Sequence, residues 1–479
     1  MSKIGIDIGT SNIKAVLFDE AYKVIKKVNV EVPSAVDQYG HYEQNVDAVV
    51  EAVNVCIEEL NNKSVTNISF SSAMHSLILA VEENVPFTQN MIWADARADQ
   101  DIRIFKETED WLSFYQKTGP PIHPMSPFAK LLYYRNADFL KPGIHIMGIK
   151  EYIIFLLTGE YVMDYSIASA TGLMNIHTLK WDQDILDFLD IDETYLPRLV
   201  DTNTKFKALN YDFSVTVGAS DGCLVNFGNN ALNKGQTTLT LGTSGAVRMT
   251  VKKPVLDPLG RTFCYYLKKG IYVIGGAVNN GGNTLDWVSE LFYDNPKKFY
   301  KDLPSLIDKV EPGSEGLVFL PHINGERAPY WDNIVSGQFF GLKHYHKREH
   351  MIRAVVEGIL FNLKHVLSIL EENGGRSKEI YLSGGVFEIP GIRQMVADIF
   401  EEKVYIQKEF DASILGAVLL TDKKKQEVSD LDAYYPGNSE LYRESFEVFL
   451  MLSFDIMRSL IMPKGLDQFD ETEIDKKYN

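Results

Sequence analysis

Residues 4–18 read IGIDIGTSNIKAVLF, and residues 237–251 read TTLTLGTSGAVRMTV. In each stretch an alternating apolar run enters a Gly-Thr-Ser turn and a second alternating run leaves it, which is the pattern of a β-hairpin. Gly9-Thr10-Ser11 and Gly242-Thr243-Ser244 each gather several backbone N–H groups and two hydroxyls at one point, the chemistry that binds phosphate oxygens. One Gly-Thr-Ser is an ordinary turn, because glycine and serine are common there. Two of them, far apart and in matching strand contexts, predict a duplicated α/β fold with two phosphate clamps facing each other.

Working outward from the first hairpin, a charged strand is expected from Lys23 to Val32 and an amphipathic helix from about Asn45 to Leu60. NISFSSAMHSLILAVEE reads as two strands around a polar turn at Met74-His75-Ser76. A helical zone follows from Ala98 to about Gln116. The prolines at 120, 121, 124 and 127 then mark a rigid segment before a helix at Phe128–Tyr134. Beyond the second hairpin, a Gly/Asn loop feeds a helix, and His350–Leu370 has clear 3.6-residue periodicity. EIYLSGG, GIRQMVADIF and KVYIQ make a βαβ unit with a small-residue helix at Ala412–Leu420 behind it. No low-complexity linker separates the halves. The repeat places a boundary near residues 228–236, giving domains of 1–232 and 233–479, with an acidic, helical tail from about residue 421 that packs on the body or on a partner.

The chain's 479 residues suffice for two or three domains, and 45% hydrophobic with 24% charged residues is a soluble, globular composition. A net charge of −17 argues against binding to nucleic acid or to an anionic membrane surface. An anionic substrate would need local donors or a metal ion to overcome that field. Cys56, Cys223 and Cys264 fit neither a disulfide framework nor a metal-ligand spacing, so buried thiols in a reducing compartment are expected. Met1 leads almost at once into a strand, so no signal peptide is expected. The apolar stretch Phe446–Met462 is interrupted by Glu447, Asp455 and Arg458, too polar to span a bilayer. A cytoplasmic protein is the expectation.

Several residues stand out chemically. Asp7 lies inside an apolar strand, where a carboxylate requires a cation, a donor or a metal-bound water unless it points to solvent at an edge. Lys14, beyond the same turn, is either a phosphate ligand or an exposed strand lysine. Asp221, in GASDG, is a turn residue by composition, but its place just before the second hairpin suits a base that accepts a proton from an attacking hydroxyl. Gly384 and Gly385 end a strand and leave room for a flat ring or ribose, or form a plain βα turn. His75, Trp93, Asp95 and Arg97 combine an indole with carboxylate, imidazole and guanidinium, which suits a polyol with a stacked apolar face. A buried structural histidine is the competing reading of His75. Asn279 and Asn280 either donate amides to the same pocket or form an αL-tolerant turn.

Taken together, DIGTSNIKAVLFD, MHSL, WADAR, GASDG, TLGTSGAVR, GERAPYW and SGGV with QMVADIF resemble the FGGY family of carbohydrate kinases, in order, from residue 3 to about 420. The resemblance implies two duplicated actin-like (ribonuclease H-like) ATPase domains with a cleft between them. It implies Asp221 as catalytic base, and Thr10, Ser11 and Asn12, with Lys14, at the ATP phosphates. It also implies Asp7 ordering Mg²⁺, Gly242 and Thr243 as the second clamp, and Gly384 and Gly385 at adenosine. His75, Asp95 and Arg97, and with them Asn279 and Asn280, correspond to sugar-pocket positions. SSAMHSLI, HPMSPFAKL and GGAVNNGGNTLDW are similar to members acting on gluconate, with those acting on xylulose next. The expected reaction is ATP-dependent phosphorylation of D-gluconate to 6-phospho-D-gluconate. A pentulose kinase is the alternative, and a non-catalytic nucleotide switch a distant one. Arg97, Lys130 and His75 are the candidate cations for the substrate carboxylate. Where family members often carry an aromatic before the Arg-Gln step, this chain has Ile392. The expected partners are ATP and a small sugar acid, without nucleic acid or membrane, and with a homodimer as the candidate assembly.

Overall fold

The computed structural model describes residues 2–81, 84–108, 110–407, 411–421 and 431–461. Each hairpin opens a separate sheet. In the first, β1 (Ser2–Ile8), β2 (Asn12–Phe18) and β3 (Val24–Glu31) are successively antiparallel. On its other side β1 pairs in parallel with β4 (Val65–Ser72), which pairs in parallel with β5 (Ser214–Ser220). In the second, β6 (Gln236–Leu241), β7 (Gly245–Val251) and β8 (Ile271–Val278) repeat the antiparallel run. β6 then pairs in parallel with β9 (Glu379–Ser383), and β9 with β10 (Lys403–Gln407). Both cores therefore run 3-2-1-4-5 with the same strand senses. The duplication read from two turns extends to whole sheets.

Period-two alternation assigns the faces of the first sheet. Ile4, Ile6, Ile8, Ile13, Ala15 and Leu17 share one buried cluster with Val49, Val53 and Cys56 of helix α1 (Val46–Leu60). Asn45 caps that helix, its side chain accepting from the Ala48 N–H at 2.8 Å. The opposite face carries Gly5, Asp7, Val16 and Phe18, and a segment from the far end of the chain covers it. Helix α2 (Asp221–Gly228) leaves β5 and contacts both sheets. The long buried helix α4 (Arg348–Gly374) backs the second sheet, and α3 (Gly282–Phe292) before it packs on α4. After α5 (Ile392–Phe400) and β10, helix α6 (Ala412–Leu419) crosses back to the first sheet, where Ile414, Leu415, Val418 and Leu419 pack on Val16 and Phe18. A side chain on Gly416 would come within 2.5 Å of the Leu224 carbonyl, so α2 and α6 touch backbone to backbone.

The helical zone read at Ala98–Gln116 is two helices, Asp99–Lys106 and Asp110–Thr118. The tail carries its expected helix, packed on the body, preceded by a strand that the sequence reading did not include. Leu431–Tyr434 first adds an antiparallel edge strand to β10, and α7 (Glu440–Ile461) follows. Phe446 and Phe449 of α7 pack their rings at a tilt on Phe361 of α4, and the Tyr442 hydroxyl accepts from Arg353 at 2.9 Å. The rest of the acidic tail, residues 422–430 and 462–479, lies outside the described residues. Among the described residues no helix is long and apolar enough to cross a membrane.

Candidate active site

The two Gly-Thr-Ser turns are closed by the same glycine N–H but differ in length by one residue. Gly9 N–H closes the first on the Asn12 carbonyl at 3.1 Å, and Gly242 N–H closes the second on the Ser244 carbonyl at 2.9 Å. In the first, Ser34 and Gln44 bind the Thr10 carbonyl from outside at 2.7 and 3.0 Å. In the second, the N–H groups of Gly282 and Asn283 at the start of α3 bind the carbonyls of Gly242 and Thr243 at 2.7 and 3.1 Å. With the carbonyls tied back, the hydroxyls of Thr10, Ser11, Thr243 and Ser244 have no protein partner among the described residues. A side chain on Gly242 or Gly385 would meet nothing, leaving an open cradle, whereas Gly384 (φ +109°) packs its bare Cα against the Leu241 carbonyl. Gly384 is thus required by strand packing, and Gly385 borders free space. Ile392, the first residue of α5, is fully buried.

Between the turns lies a set of carboxylates. Asp7 accepts from Ser71 Oγ at 2.5 Å, and burial, together with Asp411 and Asp221, pushes its carboxyl up to about 7. Asp411, just before α6, also pairs with Lys14 at 3.8 Å. Asp221 is the first residue of α2, and its Oδ1 accepts from Gly222 N–H at 2.6 Å. Burial raises its carboxyl, and Arg248, projecting from β7, works against that rise. Asp221 thus feels Asp7 from the first hairpin and Arg248 from the second. Among the described residues no three His, Cys, Asp or Glu side chains converge into a metal cage. Single carboxylates facing a phosphate-type turn are the donor set suited to Mg²⁺, which keeps most of its water and binds substrate phosphates.

The predicted sugar-pocket residues come together around a lysine. Lys130 Nζ donates to the carbonyls of His75 (2.6 Å), Ile92 (2.8 Å) and Met125 (3.0 Å), tying the MHSL, WADAR and HPMSP loops to one point. His75 has a left-handed backbone (φ 69°). Its Nδ1 donates to the Ala170 carbonyl at 2.9 Å, leaving Nε2 toward the Tyr265 hydroxyl at 3.4 Å. Burial pushes this imidazole down to about 3, so it is neutral. Arg97 is held by Asp95 (2.8 Å from both Nε and Nη2), Glu43 (2.5 Å) and the Tyr134 hydroxyl (2.7 Å). Burial opposes its charge, but the two carboxylates more than compensate and raise its affinity for the proton. Asp95 is spent on Arg97 and on the Tyr42 N–H at 2.8 Å. The pair braces the loop that presents Trp93. Asn280 is fully buried, its amide on the Gly325 carbonyl (2.7 Å) and Glu326 (3.0 Å). Asn279 gives its Nδ2 to the Asn324 carbonyl (3.1 Å) and its Oδ1 to Arg327 (2.8 Å). Both amide donors of Asn280 are thus used within this loop, and Asn279 keeps a second one.

Four residues enter the site that the sequence reading left without a role. Asp411 stands immediately before the small-residue helix read at Ala412–Leu420, and Arg248, Glu326 and Arg327 stand inside quoted motifs. Arg327 lies over the Trp93 ring at 4.8 Å, joining the second half of the chain to the first. Glu326, fully buried, accepts from the N–H of Asn279 (2.5 Å) and from Asn362 (2.9 Å), fixing the loop that carries Arg327. An acidic residue beside an arginine in GERAPYW was the available signal.

A duplicated sheet, two phosphate-type turns and a buried aspartate between them define a nucleotide-dependent phosphotransferase fold. The model for the N-terminal domain of the FGGY family of carbohydrate kinases matches residues 2–230, and that for the C-terminal domain matches residues 237–421. The chain is 38% identical to the gluconokinase of Bacillus subtilis over 92% of its own length and 91% of that protein's. It superposes at a TM-score of 0.90 on the gluconate kinase of Lactobacillus acidophilus (34% identity, 96% and 99% of the two chains). It superposes equally well, at 0.90, on the ligand-bound xylulose kinase of the same organism (33% identity, 95% and 98%). The chain belongs to the FGGY family of carbohydrate kinases: it is a two-lobed, ATP-dependent sugar kinase.

Proposed function

We propose that this kinase is cytoplasmic and transfers the γ-phosphoryl group of ATP to the terminal hydroxyl of D-gluconate, giving 6-phospho-D-gluconate and ADP. The observation that carries the substrate class is the charge of the cleft. Arg327 stands beside His75 and Trp93, with Arg248 near it and Lys106 beside the neighbouring His123; none of the three has a carboxylate within ion-pair distance among the described residues, in a chain of net charge −17. Such a local excess of positive charge suits a sugar acid better than a neutral pentulose.

In this reading Asp221 accepts the proton of the attacking hydroxyl as its oxygen bonds to phosphorus and the bond to the β-phosphate oxygen breaks. Thr10, Ser11, Asn12 and Lys14 hold the phosphates from one side, and Gly242 and Thr243 from the other. Gly385, beside Gly384, borders the adenosine space. Asp7 fits a water ligand of Mg²⁺, which when bound neutralises charge on the phosphates. His75 and Trp93 would receive the sugar chain, positioned by Lys130 and the Asp95–Arg97 pair. We place the division of the lobes at 232/233.

The equal fit to a xylulose kinase favours one second reading, a pentulose kinase. A coupled assay of ADP release across D-gluconate, D-xylulose, D-ribulose and glycerol separates the two. We expect a kcat/KM for gluconate at least about tenfold above the others, a difference of ~1.4 kcal/mol in transition-state binding. Xylulose as the preferred substrate overturns the proposal.

A further inference from the structure

We infer that Arg327 takes the carboxylate of the substrate, an assignment that rests on the sugar-acid reading above. The three cations that the sequence offers for this task are committed elsewhere. Arg97 spends four of its five N–H groups on Asp95, Glu43 and Tyr134. Lys130 is fully buried on backbone carbonyls, and His75 is neutral with its one N–H on Ala170. Arg327 differs in each respect. Its Nε binds the Asn279 side-chain oxygen at 2.8 Å and its Nη2 the Val278 carbonyl at 3.0 Å, both neutral acceptors. Among the described residues Nη1 has no protein partner, and it is not among the buried polar atoms sealed from solvent. The guanidinium therefore keeps Nη1 open beside Nη2, which has a second N–H besides the one given to Val278, and a carboxylate matches that fork.

Its orientation is fixed in advance. The Trp93 ring lies against one face, and the Arg327 backbone N–H is held by Glu326 at 2.9 Å. Arg248, the nearest rival, lies beside Asp221, its Nη1 on Thr240 at 3.2 Å. A substrate with its terminal hydroxyl at Asp221 points its carboxylate away from that end. Arg248 therefore faces the transferring phosphate and Arg327 the acid.

The test measures equilibrium binding of D-gluconate, of D-glucitol (the same chain with a hydroxymethyl group in place of the carboxylate) and of Mg-ATP, in wild type, Arg327→Lys and Arg327→Gln. Wild type should prefer gluconate to glucitol. Arg327→Gln should weaken gluconate by roughly tenfold to a hundredfold, the range for a lost hydrogen bond to a charged group, and erase the preference. Arg327→Lys, which keeps the charge without the fork, should fall between them. Glucitol and Mg-ATP binding should stay within about threefold of wild type, on the same free-energy scale. Unchanged gluconate binding in Arg327→Gln, or equal weakening of all three ligands in both variants, overturns the assignment. No preference for gluconate in wild type overturns the sugar-acid reading itself.

Discussion

Asp221 is a carboxylate under opposed influences. Burial raises its pKa, while Arg248 and the Gly222 N–H lower it. The general base proposed here must be ionised at working pH yet basic enough to take a proton; Arg248 works toward the first requirement and burial toward the second. Removing Arg248 removes the principal lowering influence, so the pKa of Asp221 rises. Because the base acts in its deprotonated form, activity is then lost at a higher pH on acidification. Arg248→Gln should accordingly move the acid limb of the kcat/KM profile toward neutral pH. Asp221→Asn should lower turnover by about 10²–10⁴-fold, the usual contribution of a general base, and abolish that limb. A pH–rate series on the three proteins checks both; an acid limb unmoved in Arg248→Gln excludes Arg248 as the tuning charge.

At the scale of elements, the site depends on how closely two short helices approach. α2 carries Asp221 at its start, and α6 follows directly on Asp411. Ser413, in the first turn of α6, gives its hydroxyl to Asp411 at 2.9 Å and lies 3.4 Å from Asp7. Glycines at the contact set this spacing, since a Cβ on Gly416 would sit 2.5 Å from the Leu224 carbonyl, and backbone cannot yield cheaply. Gly416→Ala should therefore cost about 1–3 kcal/mol, the usual penalty of overpacking, and shift α2 relative to Asp7. Urea denaturation reads the first effect and kcat the second. Full stability in Gly416→Ala would mean that the helices are free to part. The hairpins, α1 and the βαβ unit were legible from sequence because each is local: alternation, a cap or 3.6-residue periodicity decides it. The contact between α2 and α6 was not, because it joins segments nearly two hundred residues apart through small residues that carry no pattern. The same limit applied to the pocket. WADAR gave Asp95 and Arg97 as polar groups for a ligand; that they also pair with each other, and that Arg327 of GERAPYW reaches Trp93 from the other half, is visible only in three dimensions.

The return of α6 to the first sheet bears on the molecule as a whole. The sequence repeat divides the chain near residue 232, but the apolar face formed by Val16 and Phe18 is covered by Ile414, Leu415, Val418 and Leu419. A fragment ending at residue 232 would leave that face open, and the complementary fragment would carry an unmatched apolar helix. Exposed patches of that kind drive association in place of folding. We therefore expect fragments 1–232 and 233–479, expressed singly, to be insoluble or to bind a hydrophobic dye without a cooperative thermal transition. Co-expressed, they should assemble into a complex that regains nucleotide binding. In the intact chain the same helix would keep Asp411 and Ser413 beside Asp7 while the outer parts of the two lobes close on their ligands, giving closure a fixed pivot. Solubility, dye binding and calorimetry of the separate fragments decide the matter. A cooperative melt of 1–232 alone would show that α6 is a passenger on the first sheet and contributes nothing to its folding.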